Sequence, residues 1–464
     1  MTNSELSPSK HPLCFKGDLI TPDHPEYATA IDRWAANTVR KAKIVAFVKD
    51  SEDVAYALKL AKDNRLPIAI RGGGRHAFGA SSVEGGLVID PSRYMNGVRV
   101  DPSNKLGYVG GGAIWETVFR EGMKYGLGAV GGAVNHTGVG GYILGGGYGW
   151  LTSAYGLAAD SLVQATIVTA NGSVLTVNDT EHSDLYFALC GGGGNFGVVT
   201  EFVLQLHPQR PTVYSGALVY LVSATESIIE ATHKWQGITD GKDSAIEVAT
   251  IDDQGNAVFI VSPFYNGTEA EGRERFKGLL AAGPVSDTTK EISFEELNTL
   301  QNPVTPSGKA AFMKGAAFKR LHAPSVIKAH QRLVEIIKGG VYKGLKYPLR
   351  VFGLKKVNSI PAQSTAFRRV ASHNITVYLT WDPKEDRTEE AMKLVEELCA
   401  IASEGQEGLT DSERLGYTNY EPDSADSDKA KLVFGKNYAR LQAIKKRYDP
   451  DNIFNKWFPI TPAA

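Results

Sequence analysis

Between residues 40 and 208 the apolar positions switch repeatedly between the 3.6-residue spacing of a buried helix face and the shorter runs of a strand. The stretch DSEDVAYALKLAKDNRLP, from Asp50, sets Val54, Ala57, Leu58 and Ala61 at helical intervals behind Ser51, which reads as the N-cap. PIAI follows as a short strand that ends at a glycine run. GGLVID, GVRVD and LGYVGGGA read as further short strands between turn residues. IWETVFREGMKYG, residues 114–126, predicts a helix stopped by Gly126. SLVQATIVTANGSVLTV holds two strands around the turn pair Asn171-Gly172, SDLYFALC a helix, and GVVTEFVLQLHP a strand.

After Pro208 the texture changes. Glycines thin out, and longer amphipathic helices (ESIIEATHKWQGI, TEEAMKLVEELCAIASEG) alternate with strands (NAVFIVSPFY, NITVYLTW), so a domain boundary is expected at 208–212. YEPDSADSD, residues 420–428, reads as an acidic linker. The last block predicts a helix, an Asp-Pro turn and an aromatic tail. Trp457 and Phe458 there form either a wall of a pocket or an anchor for the C-terminus.

Bulk composition narrows the classes. A chain of 464 residues exceeds one ordinary core, so two domains are expected. Hydrophobic content of 42%, charged content of 22% and a formal net charge of -1 describe an ordinary globular protein, with no basic patch for a nucleic-acid partner. Cys14, Cys190 and Cys399 lie too far apart in sequence for a metal-ligand motif, so neither a metal site nor a disulfide framework is expected. The polar N-terminus MTNSELSPSKHPLCFKGD has no basic run followed by an apolar one. The expected location is therefore cytoplasmic, and the sequons at Asn135, Asn171, Asn178, Asn266 and Asn374 carry no implication. From Gly126 to Ala159 there is no Asp, Glu, Lys or Arg, but glycine makes up nearly half of residues 126–149. Such a stretch disfavours a spanning helix and favours backbone that approaches another surface closely, so no membrane partner is expected.

Three glycine runs carry the candidate chemistry. A literal G-x-G-x-x-G spans Gly192–Gly197, but it follows a helix and precedes a strand, the reverse of the dinucleotide-binding order. IRGGGRHAFG sits at a strand end. Its N–H groups, free of Cβ obstruction, suit phosphate oxygens, with Arg71 and Arg75 adding charge; a plain glycine turn with surface arginines is the alternative. In GGAVNHTGVGGYILGGGYG, the glycines at 140, 141, 145, 146, 147 and 149 exceed what a turn needs. A flat ligand lying against backbone accounts for them.

These residues, with VGGGAIWETV, TGVGGYILGGGYGWLTSAYGLAAD and LYFALCGGGGNFGVVTEFVLQLHP, resemble the FAD-binding domain of the vanillyl-alcohol-oxidase superfamily. The tail NYARLQAIKKRYDPDNIF is similar to the berberine-bridge-enzyme-like branch. The resemblance implies an α+β fold. A two-subdomain PCMH-type FAD-binding domain would span residues 1–211, with its core at about 38–208. An α/β substrate-binding domain, an antiparallel sheet covered by helices, would span 212–424, and 425–464 would return to the first domain. It also implies FAD, with Arg71, Gly72, Gly73, Gly74, Arg75, His76 and Gly79 at the pyrophosphate and the benzenoid edge. Val134, Thr137, Gly138, Gly141, Tyr142, Gly145, Gly146, Tyr148 and Gly149 would line the ring and ribityl chain, with Val198 and Val199 touching through backbone and Asn437 near the ring.

The chain departs from the family at the attachment point. Relatives tether FAD through a His in R-x-G-G-H; counted from Arg71 to Gly79, that position is Arg75, and His76 falls one residue late. Noncovalent FAD is the expectation, with a His76 link or a merely hydrogen-bonding His76 as alternatives. Val134 replaces the cysteine of a second link. Thr137 stands where relatives control oxygen access, and Tyr142 where many carry His. The implied activity is hydride transfer from a small alcohol, amine or secondary metabolite to flavin N5, with molecular oxygen as the second partner and H2O2 as product. A dehydrogenase or cyclase using another acceptor, or a non-catalytic flavin-binding protein, are the alternatives. Candidates for proton transfer are Tyr438, Tyr420 and His136. Arg350, Arg368 and Arg369, in strand-like segments, read as anchors for an acidic substrate or as surface charge.

Overall fold

The computed structural model describes residues 15–252, 254–342, 345–370, 372–422 and 427–464. Cys14, the polar stretch before it and residues 423–426 of the acidic linker lie outside the described residues. The architecture is α+β, built on three main sheets.

The first is four-stranded. Ile44–Phe47, Leu87–Asp90 and Ile68–Ile70 run parallel, and Asp18–Ile20 pairs antiparallel at the edge. Leu87–Asp90 is buried along its whole length, as parallel strands covered on both faces are. Helix Ser51–Asp63 connects two of these strands. Its cap is Asp50 and not Ser51: the Asp50 carboxylate accepts from Glu52 N and Asp53 N, both at 3.0 Å, and its charge suits a helix N-terminus. Ser51 is already helical and its hydroxyl meets Thr200 Oγ1 at 3.0 Å.

The second sheet is five-stranded and antiparallel, in the order Val98–Asp101, Leu106–Gly110, Val198–Gln205, Leu162–Val168, Val174–Asn178. Gly172 supplies the positive φ (84°) of the hairpin turn between Leu162–Val168 and Val174–Asn178. The charge-free stretch folds as short helices, Val139–Leu144 and Thr152–Tyr155. Among the described residues no helix is long and apolar enough to cross a membrane.

The third sheet has nine strands, all paired antiparallel. Helices Thr225–Gln236, Ala323–Lys338 and Thr388–Ala402 pack against one face, burying Leu349, Val351, Ile375, Val377 and Leu379 with Leu333 and Val395 in one core. Register places Ile246, Arg350, Phe352, Asn374, Thr376 and Tyr378 on the opposite face. That face meets the glycine-rich half, where Phe352 packs with Tyr148 and Tyr378 with Trp34.

The C-terminal block docks on the second sheet. Tyr438, Leu441, Ile444, Trp457, Phe458 and Ile460 share a core with Trp115, Ile143, Phe196 and Phe202. Its expected single helix is two, Ser427–Phe434 and Tyr438–Tyr448, because Gly435 between them takes φ 50°. Lys445 is fully buried. Its ammonium donates to Asp449 Oδ2 at 2.6 Å and to the carbonyls of Asn195 and Phe454, both at 2.7 Å. The Asn195 amide in turn donates to Gly192 O (2.9 Å) and Trp457 O (3.1 Å). Trp457 and Phe458 are therefore a tail anchor and not a pocket wall. The run Gly192–Gly197 lies between helix Ser183–Leu189 and its following strand, and it seats this tail; a Cβ on Gly193 would overlap the Trp457 ring.

Arg368 and Arg369 lie in coil and not in a strand. Arg369 forms an ion pair with Asp160 in which both side chains are at most 4% exposed, and Arg368 donates to Leu415 O at 2.9 Å. Neither is surface charge: Arg369 is spent on Asp160, and Arg368 lines a small cavity with Tyr148 and Gly191.

Candidate active site

The first glycine run leaves strand Ile68–Ile70 and folds back at once. Arg71 N donates to Ile89 O (2.9 Å), its guanidinium pairs with buried Asp90 (2.7 Å), and its Nε is buried without a partner. Gly74 turns the chain with φ 65°, and Gly79 closes the loop on His76 O at 3.4 Å. Gly73 then meets Gly138 backbone to backbone: a Cβ on Gly73 would fall 2.5 Å from Gly138 Cα. Beside this contact opens a cleft of ≈ 670 Å³ whose lining includes Arg71, Gly72, Gly73, Ser92, Gly112 and Thr117.

The third run behaves differently from the expectation that a ligand explains its glycines. A Cβ on Gly145 would strike Asn419, on Gly146 the Phe367 ring, on Gly147 Tyr142 and Ala158, and on Gly149 the carbonyl of Gly131. These four are required by packing within the protein. Gly141 is the one that faces open space. The rest of the loop is held by main chain: Thr137 O accepts from Trp115 N (3.0 Å), Val134 O from Thr137 N (3.2 Å), and Val139 N donates to Ala113 O (2.9 Å). Val198 and Val199 are buried at the start of their strand, and a Cβ on Gly111 would overlap the carbonyl of Val199.

Over this loop stands a wall of tyrosines. Tyr142 packs edge-on to Trp115 (5.2 Å) and donates its hydroxyl to Tyr148 O. Tyr148 stacks on Phe352 (6.1 Å, 8°) and meets Tyr417 edge-on (5.2 Å). The Tyr417 hydroxyl accepts from Gly147 N (2.9 Å) and from the Asn419 amide (2.6 Å). Tyr420 packs edge-on to Tyr417 (4.9 Å), and the Arg350 guanidinium lies 5.1 Å over the Tyr420 ring. Burial drives the phenols of Tyr142 and Tyr417 well above their ordinary range and pushes Tyr148 up to about 12. Tyr420 is half-buried, and its hydroxyl has no hydrogen-bond partner among the described residues.

At the other end, Arg75 lies 4.6 Å over the Trp34 ring and donates to His136 Nδ1 at 2.5 Å. Burial lowers Arg75 to about 10. Burial, with the Arg75 charge second, pushes His136 down to about 4, so this imidazole is a neutral acceptor. His76 Nδ1 accepts from Ala80 N (3.1 Å) and Phe78 N (3.3 Å), and its buried Nε2 has no partner. Asn437 lies apart and donates to Thr365 O (3.1 Å) and Ala362 O (3.3 Å). Tyr438 sits in the core with Leu441, its hydroxyl unpartnered. Sequence reasoning missed Tyr417, Asn419, Phe367, Trp34 and Tyr378. Only the first two carried a signal, lying in the same GYTNYEP stretch as Tyr420.

The neutral histidines have a measurable consequence. Burial pushes His76, His136, His207 and His373 down from 6.5 to about 4. Between those values the unfolded chain binds protons that the folded chain refuses. Their contribution to stability is complete above pH 6.5 and lost as pH falls toward 4. Glu247, raised to about 7 by burial, has the opposite sign and favours the folded state below pH 7. His233 and His330 are also shifted down by burial, and Asp243 and Glu421 are shifted up like Glu247, so the imidazoles outnumber the raised carboxylates. The expected result is a urea midpoint that falls between pH 6.5 and 4; a flat midpoint across that window would mean these imidazoles reach solvent.

Buried polar atoms left without protein partners cluster on the surfaces around this space: Arg71 Nε, His76 Nε2, Arg350 Nε, Thr376 Oγ1 and Tyr378 OH. With a glycine cradle at one end and tyrosines at the other, they fit a long, flat cofactor carrying phosphates. A family model described as FAD binding domain matches residues 42–178, and one described as berberine and berberine like matches 416–460. The FAD-linked oxidoreductase pgmH of Aspergillus terreus is 34% identical over 455 residues, covering 94% of this chain and 92% of its own. The (R)-6-hydroxynicotine oxidase of Paenarthrobacter nicotinovorans is 28% identical over 463 residues, covering 97% and 98%. Among solved structures, 6-hydroxy-D-nicotine oxidase from Arthrobacter nicotinovorans matches with a TM-score of 0.87 at 25% identity, covering 98% of this chain and 100% of that one. Berberine bridge enzyme from Eschscholzia californica shares the fold, with a TM-score of 0.82 at 20% identity over 96% and 97% of the two chains. The chain belongs to the berberine-bridge-enzyme-like branch of the FAD-linked oxidoreductases, enzymes of PCMH-type fold that work with FAD.

Proposed function

We propose that this enzyme is an oxidase. It takes a hydride from carbon and a proton from the neighbouring O–H or N–H of a small alcohol, amine or secondary metabolite, passes both electrons to molecular oxygen to give H2O2, and holds FAD without a covalent bond. The bound flavin supplies the hydride acceptor. The residues around it bind, orient and take the proton.

Arg71 and the N–H groups of the 72–74 turn would hold the phosphates. Tyr417 and Asn419 fix the 145–147 backbone, and Tyr142 is spent on the Tyr148 carbonyl. Tyr420 is the phenol left open for the substrate proton, and this carries the catalytic reading. Noncovalent binding is supported by His76, whose Nδ1 lone pair already faces two backbone N–H groups, and by Arg75, which offers no nucleophile at the family's attachment position. The likeness to (R)-6-hydroxynicotine oxidase supports oxygen as acceptor.

One preparation tests the cofactor and acceptor. After acid precipitation the yellow colour is expected in the supernatant. The intact protein, photoreduced without oxygen and then mixed with air, is expected to recover its absorbance within seconds, releasing H2O2 in proportion to flavin. Colour in the pellet would mean a His76 link. Recovery only with an added dye would make the enzyme a dehydrogenase.

A further inference from the structure

We propose that the substrate carries a carboxylate on a flat aromatic frame, and that Arg350 is its anchor. The inference rests on the reading of this site as a flavin oxidase and adds the substrate class.

Every other arginine buried near the site is engaged by protein. Arg33 donates to the carbonyls of Ala30, Asp32 and Ser81. Arg71 and Arg369 pair with Asp90 and Asp160, Arg368 meets Leu415 O, and Arg75 meets His136. Arg350 alone among these has no hydrogen bond or ion pair among the described residues, and its Nε is shut off from solvent. A guanidinium Nε–H shut off from water without a partner is costly unless a ligand supplies one.

Its placement says which ligand. Arg350 is a central residue of strand Tyr347–Phe352, opposite Ile246 and Asn374, on the face that meets the glycine loops. The adjoining strand Asp243–Ile251 carries two acidic residues, both directed to the other face: Glu247 pairs with Leu349 and accepts from Thr232 at 2.6 Å, and Asp243, four residues earlier, pairs with Arg275 at 3.3 Å. Among the described residues no carboxylate forms an ion pair with Arg350. The planar fork of a guanidinium matches a carboxylate with two parallel hydrogen bonds. Around it stand Tyr420, under the guanidinium, Tyr142 within reach of its charge, and Phe352 and Tyr378 on its own sheet face. Such walls accept a flat ring and offer little to a polyol.

The test uses the oxidised holoenzyme with benzoate, benzamide and 4-nitrophenolate, read by calorimetry and by the visible spectrum of the flavin. Benzoate is expected to bind saturably and benzamide at least tenfold more weakly. Arg350→Met is expected to weaken benzoate on the order of 10²-fold while leaving the flavin reduction potential in place, and Arg350→Lys to restore part of the loss. Because Arg350 has no hydrogen-bond or ion-pair partner among the described residues, only its contact over the Tyr420 ring, its replacement is not expected to unfold the chain. Four results would overturn the assignment: no saturable benzoate binding, equal affinity for benzoate and benzamide, tighter binding of 4-nitrophenolate, or unchanged benzoate binding in Arg350→Met. That last result with a shifted potential would assign Arg350 to the cofactor. A failure of the flavin reading is separate, since it shows as a colourless protein.

Discussion

Tyr420→Phe lowers kcat by about two to four orders of magnitude and leaves the spectrum of the bound flavin in place. The expectation follows from how the neighbouring phenols are used. The Tyr142 hydroxyl is committed to Tyr148 O, and the Tyr417 hydroxyl is fixed between Gly147 N and the Asn419 amide. Burial pushes Tyr378, like Tyr142 and Tyr417, above the ordinary phenol range. His136, held near 4 with its Nδ1 facing Arg75, is a weak base at neutral pH. Tyr420 remains, placed by its edge contact with Tyr417 and by the Arg350 guanidinium over its ring. Anaerobic mixing with any substrate that bleaches the flavin reads the reductive step alone, and Tyr438→Phe serves as the control expected to keep wild-type rates. A Tyr420→Phe enzyme that reduces its flavin within threefold of wild type would place the proton acceptor elsewhere.

Lys445→Met is the most damaging single change expected for stability, at about 3–5 kcal/mol. All three ammonium hydrogens are used inside the protein, and none of them reaches water. Methionine fills the volume but leaves the Asp449 carboxylate buried with only the N–H groups of Ile453 and Phe454, at 2.9 Å each. It also strips the carbonyls of Asn195 and Phe454 of a donor. Because Asn195 clamps Trp457, the loss spreads to the tail and through it to the core around Phe196. Release of flavin fluorescence during urea unfolding would follow this half of the molecule. A midpoint unchanged from wild type would show that the aromatic tail holds without its clamp.

The parts of the fold that were legible in advance are those coded locally. The Asn171-Gly172 hairpin needs a positive φ that glycine provides, and the alternating strands and amphipathic helices sit where their periods put them. The glycine runs were visible too, but the reason for most of the third run was not. Gly145 and Gly146 are narrow because Asn419 and Phe367, more than two hundred residues later, press on them. Long-range pairing hides in the same way: nothing near Arg369 announces Asp160, and nothing near Lys445 announces that a lysine would be fully buried. The place of Tyr420 beside Tyr417 was legible because its aromatic motif is local. Trp34, which carries Arg75 on its ring, was not, because a lone tryptophan upstream has no periodicity to read.

The Arg369–Asp160 pair constrains how the enzyme breathes. It joins the coil below the large sheet to the turn after the glycine loop, and both charges are hidden. Ser153 Oγ accepts from Gly353 N (2.7 Å), and the Asn37 side chain bonds both the N–H (2.9 Å) and the carbonyl (3.1 Å) of Ala311, so the two halves are sewn together at separate points on the rim. Swinging them apart would strand a lone guanidinium and a lone carboxylate at once. Substrate exchange by a clamshell motion is therefore expensive, and traffic to Arg350 and Tyr420 is left to side-chain and loop movements at a fixed mouth, which favours ligands slim enough to enter edge-on.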